Sequence, residues 1–290
     1  MLRPEGVALP RPMKEPTVLT DLTIAIIGTG VMGEAIISGL LREHLIAPDR
    51  IIAADPRRER RAEIAARYGV HTTEDNAEAA CAAELAIFSV KPQNLTSALP
   101  ELHRRLRPEA VVLSIVAGTP VRHFVDALGH AAVVRSMPNT PAQIGAGMTV
   151  WTASDETSEQ QRGWAKLVLG ALGRELYVAD ESFLDVATAI NGTGPAYIFM
   201  MLEAMVDAGV HLGLSRYVAE ELVLQTMLGS ALYAQQTGKH PAELRNAVTS
   251  PGGTTAAAMY ELEKGGLRTV LTDAIWAAYR RSVELGKTRT

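Results

Sequence analysis

Residues 23–33 read Thr-Ile-Ala-Ile-Ile-Gly-Thr-Gly-Val-Met-Gly, and this stretch decides the fold. Thr23 to Ile27 is a β-branched apolar run, the pattern of a buried strand. It meets Gly28-Thr29-Gly30-Val31-Met32-Gly33, which opens a helical segment from Val31 to Glu43. In that setting each glycine has a task. Gly28 permits the tight turn, Gly30 lets a pyrophosphate approach the backbone, and Gly33 allows the helix to touch the strand. Phosphates would rest on the free N–H groups and positive dipole end of the helix.

Outward from this stretch the pattern repeats. Apolar runs at Arg50–Ala54, Leu85–Val90, Ala110–Val116 and Ala132–Val134 alternate with helical segments at Arg57–Tyr68, Asn94–Leu102 and Val121–Leu128. Strands alternating with helices predict an α/β fold, a Rossmann-type doubly wound parallel sheet covered on both faces. After a last strand-like piece, Arg174–Val178, long helical patterns take over at Pro195–Leu212, Arg216–Gln236 and Thr254–Leu285. The reading is a disordered tail over 1–20, a dinucleotide-binding domain over 21–180, and an all-helical domain over 181–290. Pro195–Leu212 carries Tyr197, Phe199, Met200, Met201 and Met205 on several faces, so a second subunit is its natural cover.

Composition narrows the classes. The chain has 290 residues, a net charge of −4, 47% hydrophobic and 5% aromatic residues, which excludes wholesale disorder. Mixed, mildly acidic charge gives no reason to expect a nucleic-acid or membrane-surface partner. A single cysteine, Cys81, excludes an intrachain disulfide and a multi-thiolate metal site, and its alanine neighbours suggest a buried thiol in a helix. The seven histidines form no HxH or HxxxH pair, so no metal site is expected. Residues 1–20 hold four prolines and no apolar core of an export signal. A soluble cytoplasmic protein is expected.

Further motifs stand at the ends of the strand-like runs, where ligands bind in open α/β sheets. Asp55-Pro56-Arg57-Arg58 occupies the place of an adenine ribose: an acid there suits the 2′-OH of NAD, arginines the 2′-phosphate of NADP, and both are present. The arginines continue into Glu59-Arg60-Arg61, which also fits a solvated helix face. Val90-Lys91-Pro92 and Val116-Ala117-Gly118 end two further strands, and Met137-Pro138-Asn139-Thr140-Pro141 forms a rigid polar turn with Asn139 near an expected nicotinamide. In the helical part, Asn191-Gly192-Thr193-Gly194-Pro195 and Thr249-Ser250-Pro251-Gly252-Gly253-Thr254-Thr255 each lead a helix. Glycine and hydroxyl residues at a helix start make a nest of N–H donors for a carboxylate.

Taken in order, GTGVMG (28–33), SVKPQ (89–93), SIVAG (114–118), RSMPNTPAQIGAG (135–147), NGTGPAYIF (191–199), DAGVHLGL (207–214) and VTSPGGTT (248–255) resemble the pyrroline-5-carboxylate reductases, the enzymes of the last step of proline biosynthesis. The resemblance runs from about residue 23 to 285. It implies a helical domain that binds substrate and interlocks with a partner subunit, in dimers that commonly build decamers. It places NADP, with NAD the alternative, on Gly28, Thr29, Gly30, Val31, Met32, Gly33, Asp55, Arg57, Val90, Lys91, Pro92, Ala117, Gly118 and Asn139. Substrate carboxylate is implied on Ser250, Gly252, Gly253 and Thr254 with Thr193 nearby, and the Thr255 hydroxyl at the ring nitrogen as the catalytic group. Two positions depart from the family pattern. Asn191 stands for its usual serine, and Asp55 for a serine or threonine, an acid that repels a 2′-phosphate.

The implied chemistry is hydride transfer to the C=N carbon of a cyclic imine, which needs positioning more than a strong general acid. Two other readings compete. A hydroxyacid reductase of the same plan would need a lysine early in the helical domain, where the first is Lys239. A non-catalytic dinucleotide-binding regulator would be free to lose the TSPGGTT loop, which is intact.

Overall fold

The computed structural model describes residues 19–287. Residues 1–18 of the expected tail lie outside them. Leu19, placed in that tail by the sequence reading, is instead buried and donates its N–H to Leu45 O.

By its contacts the chain forms two units, one running to Gly192 and resuming at Ser282, the other Thr193–Arg281. The first division thus falls later than the break read near residue 180. The end of the chain also returns to the first unit, which the sequence reading did not foresee.

The first unit is built on eight strands: β1 Ile24–Ile27, β2 Ile51–Ala54, β3 His71–Thr73, β4 Leu85–Phe88, β5 Val111–Ser114, β6 Val133–Met137, β7 Gly147–Ala153 and β8 Gly173–Tyr177. Their order across the sheet is β3-β2-β1-β4-β5-β6-β7-β8. This is the doubly wound order, extended by two strands beyond β6. Helices α1 Val31–Arg42, α2 Arg58–Tyr68, α3 Asn76–Ala82, α4 Leu95–Ala98, α5 Val121–Leu128 and α6 Glu159–Gly170 lie between strands, and α7 Phe183–Ala187 follows β8. Every residue of β1, β4 and β5 is buried, as apolar strands covered on two faces must be. One face packs Ile24, Ile26, Ile36, Leu40, Val168 and Leu169; the other packs Ile27, Phe88, Leu95, Phe124 and Leu128.

The sheet departs from the all-parallel expectation at β7, which runs antiparallel to β6. A short 3₁₀ turn, Thr140–Ile144, joins the two, and a link that short cannot make a parallel crossover. Strands β3 and β7 were not foreseen: the first is three residues long, the second begins in the glycines of the polar turn. Helix α6 was also missed, although a Ser158–Gln161 capping box opens it, and of α3, which Asp75 caps, only the surroundings of Cys81 were read as helix. The helix expected at Asn94–Leu102 is broken by Pro100, whose ring nitrogen has no N–H to continue the ladder. Cys81 lies in α3 as expected but is only half-buried.

On β6, buried Arg135 pairs with Glu181 at 2.8 Å and Asp185 at 3.3 Å. Glu181 also accepts the Val121 N–H that starts α5, and Ser282 Oγ donates to Asp185 at 2.7 Å.

The second unit holds α8 Gly194–His211, α9 Arg216–Thr237, α10 Pro241–Ala247, α11 Thr254–Lys264 and most of α12 Leu267–Lys287. The single run expected over Thr254–Leu285 is divided by Gly265-Gly266, with Gly266 at φ +71°. The described core of this unit is small, centred on Val206, Ala219 and Val223. Phe199, Met200, Tyr217, Leu222 and Leu228 are all exposed. A helical unit with so much uncovered apolar surface needs an outside partner.

Candidate functional site

The nucleotide loop begins where β1 ends. Gly28 has φ +94°, and a Cβ there would sit 2.9 Å from Val90 Cγ1, so only glycine fits the turn. At Gly33 a Cβ would lie 2.2 Å from Gly28 O and 2.7 Å from Ser89 Oγ, which shows how closely α1 abuts the strand end. At Gly30 a Cβ would meet nothing within 4 Å. Gly30 is also the N-cap of α1, and no side chain caps that helix. Open space beside uncapped amides is what a pyrophosphate requires, so the loop fits a dinucleotide. Ser89 Oγ fastens the loop from below by donating to Gly28 O.

Asp55 closes the loop from β2. It is buried, and its carboxylate accepts from Thr29 N, Thr29 Oγ1 (2.9 Å), Arg57 N (3.0 Å), Arg57 Nε (3.0 Å) and Arg57 Nη2 (3.1 Å). Burial pushes its pKa up, but the Arg57 side chain, the Arg57 N–H and the two Thr29 donors together outweigh it and hold it at about 2. The acid and the arginine are therefore not alternatives: Asp55 grips one edge of the Arg57 guanidinium. Two of its five N–H groups are taken, and the rest belong to a side chain that is 61% exposed.

A carboxylate whose folded pKa lies below 3.8 stabilises the fold above that pH and ceases to as pH falls towards 2. Asp55→Asn should cost about 2 kcal/mol at pH 7, with the gap narrowing from pH 4 downward. Urea unfolding of both proteins across that range checks this; a gap independent of pH would contradict it.

The neighbouring arginines are not a solvated face. Arg60 donates from Nε to Thr29 O at 2.7 Å and pairs with Glu34, while Arg61 donates to Asp55 O at 2.8 Å and pairs with Glu74. Glu34 further accepts from Arg67 and from Tyr68 Oη. Burial raises the Glu34 pKa, yet Arg60, Tyr68 and Arg67 bring it below the ordinary value. This network ties α2 to the loop. Its signal was in the sequence, since Arg57, Arg60 and Arg61 share one helical face at i, i+3, i+4.

The other expected cofactor residues follow the carboxyl ends of β4, β5 and β6, which run parallel to β1 and so share its edge of the sheet. Lys91 is exposed and caps the 3₁₀ turn Pro92–Asn94. Gly118 has φ +65° and is covered by the end of α12, with Leu285 Cβ 3.0 Å from where its own Cβ would be. Asn139 accepts the Met148 N–H through Oδ1 at 3.0 Å and donates to Asn191 Oδ1 at 2.9 Å. Asn191, known from the sequence only as a departure from the family pattern, is thus part of the Asn139 surroundings.

The second unit carries the other group of expected residues. Gly253 donates to Ser250 O at 3.1 Å and is the N-cap of α11, which no side chain caps. Gly252 has φ +70°, a conformation that favours glycine, and a Cβ on Gly253 would come within 2.4 Å of Ser250 Oγ. Thr249 Oγ1 anchors the loop by donating to Arg245 O at 2.7 Å. Thr255 is half-buried in the first turn of α11, and Thr193 is the N-cap of α8.

Comparison with known proteins agrees with both halves. Residues 181–285 match the family model for pyrroline-5-carboxylate reductase dimerisation, and residues 23–118 that for NADP oxidoreductase, coenzyme F420-dependent. The pyrroline-5-carboxylate reductase of Synechocystis sp. is 43% identical over 268 residues, covering 92% of this chain and 99% of its own. The chain belongs to the pyrroline-5-carboxylate reductase family. The reductase of Pseudomonas aeruginosa is 42% identical over 91% of this chain and 97% of its own. Among solved structures, Plasmodium falciparum pyrroline carboxylate reductase with NADP bound superposes with a TM-score of 0.85 at 27% identity, covering 92% of this chain and 98% of that one. The span matched by the dimerisation model contains the helical unit, whose apolar helices carry exposed side chains. Among the described residues no helix is long and apolar enough to cross a membrane.

Proposed function

We propose that this protein reduces 1-pyrroline-5-carboxylate to L-proline with NADPH. The reading is carried by membership of the reductase family over nearly the whole chain. The open, uncapped glycine loop supports it. NADPH supplies the hydride; binding, orientation and charge management fall to the chain.

In this reading the pyrophosphate rests on Gly28–Gly33, and the three uncommitted N–H groups of Arg57 take the 2′-phosphate. Val90, Lys91, Pro92, Ala117 and Gly118 line the path to the nicotinamide, and Asn139 stands beside it. The substrate carboxylate lies on the amides around Ser250, Gly252, Gly253 and Thr254, with Thr193 close by. A site of backbone donors binds one small anion without a basic patch. The Thr255 hydroxyl holds the ring nitrogen of the imine, which enters already protonated, so that hydride on its carbon leaves the neutral amine. The protein works as a dimer through its helical unit, with decamers as the larger assembly, in the cytoplasm.

The test is steady-state reduction of pyrroline-5-carboxylate with NADPH and NADH in parallel; no turnover with either defeats the reading. Thr255→Val should lower kcat/KM by about tenfold, the worth of one lost hydrogen bond of roughly 1–2 kcal/mol. Unchanged kinetics would remove Thr255 from the mechanism.

A further inference from the structure

Asn191 lies in the π-helical turn Thr188–Gly192 and reaches across to two strands. Its Nδ2 donates to two backbone carbonyls, Met137 O at 3.1 Å and Met148 O at 2.9 Å. Its Oδ1 accepts from Asn139 Nδ2 at 2.9 Å, and Asn139 in turn accepts the Met148 N–H at 3.0 Å. The β6–β7 ladder ends at the pair Met137–Val150, so these backbone groups sit where the strands part. The two asparagines supply the partners that strand pairing no longer supplies.

This bonding leaves one orientation for each amide. Two carbonyls within reach demand the NH₂ end of Asn191, which turns its oxygen towards Asn139. That oxygen demands the NH₂ end of Asn139, whose own oxygen then meets the Met148 N–H. Reversing either amide sets oxygen against oxygen. On its nitrogen, Asn139 keeps one N–H beyond the bond to Asn191, so that end of the amide can only donate.

We infer that Asn191 is a positioning residue, fixing the Asn139 amide so that it donates to an acceptor oxygen of the bound dinucleotide. The nicotinamide carbonyl is the group of that chemistry. The inference rests on the proposed place of Asn139 beside the nicotinamide. A serine at 191 has one O–H and a shorter reach; it cannot serve two carbonyls and an amide together, and the Asn139 amide is released to turn.

Calorimetric binding of NADP⁺ and of its thionicotinamide analogue tests this, because sulfur is the poorer acceptor. The wild type should prefer NADP⁺ by about tenfold. Both Asn139→Ala and Asn191→Ser should bring the ratio near one, with cooperative melting showing that they fold. If Asn139→Ala keeps the preference, the placement of Asn139 fails. If Asn139→Ala loses it and Asn191→Ser keeps it, the positioning role is overturned. A measurement on the wild type needs no folded variant. The chain has five asparagines, at 76, 94, 139, 191 and 246, so ¹⁵N-asparagine labelling yields a sparse side-chain spectrum. The Asn191 Nδ2 protons should exchange slowly with D₂O, and exchange as fast as that of exposed Asn246 overturns the assignment.

Discussion

Gly33→Ala is expected to abolish NADPH binding and to destabilise the protein by roughly 3 kcal/mol or more. The added methyl would stand 2.2 Å from Gly28 O and 2.7 Å from Ser89 Oγ. Neither can yield cheaply. Gly28 O is backbone already held by Ser89, and Gly28 N–H is bonded to Ala54 O at 2.8 Å. Relief requires α1 to lift from β1, and with it the amides that await phosphate. Gly30→Ala is the control, since its methyl enters open space. That variant should unfold at nearly the wild-type urea concentration and still bind NADPH far more weakly. Equal loss of stability in the two variants would contradict the distinction drawn between the glycines.

The second large effect concerns the choice of cofactor. Arg57→Ala should raise the KM for NADPH by about ten- to a hundredfold while leaving that for NADH nearly unchanged, the scale of charge-assisted bonds to a phosphate. Asp55 sets the sign of this expectation. A lone acid at the ribose would repel a 2′-phosphate, but here its charge is matched by a guanidinium bound through two N–H groups. Removing the arginine both deletes the phosphate partner and leaves the Asp55 carboxylate beside the phosphate without the guanidinium that matches its charge. Parallel kinetics with the two cofactors decide it. An equal fall for both would mean that Arg57 serves the fold and not the phosphate.

Much of this architecture was legible in the chain because the physics is local. A buried parallel strand followed by glycines at fixed spacing writes β1, the loop and α1 into eleven consecutive residues, and the same grammar marks β2, β4 and β5. β7 escaped because Gly147 reads as a turn, and its antiparallel course depends on the shortness of the link from β6, a property of three-dimensional closure. The partnership of Asp55 with Arg57 was present as two residues in view, yet their charges alone suggested opposite cofactors; only the bonding resolves them. Asn191 was visible as an oddity, but its partners lie 43 to 54 residues away along the chain. No spacing rule carries such a contact.

The ion group around Arg135 bears on how this gene can be divided. The nucleotide-binding half looks like a module that ends near residue 180, but it is not severable there. A chain stopped at that point would keep Arg135 inside the sheet and discard Glu181, Asp185 and Ser282 together. A buried guanidinium stripped of both its carboxylates costs about 3–5 kcal/mol, a large share of what holds a domain folded. The helical unit is an insertion between two pieces of one body, and shuffling or fusing the halves would have to cut at both joints.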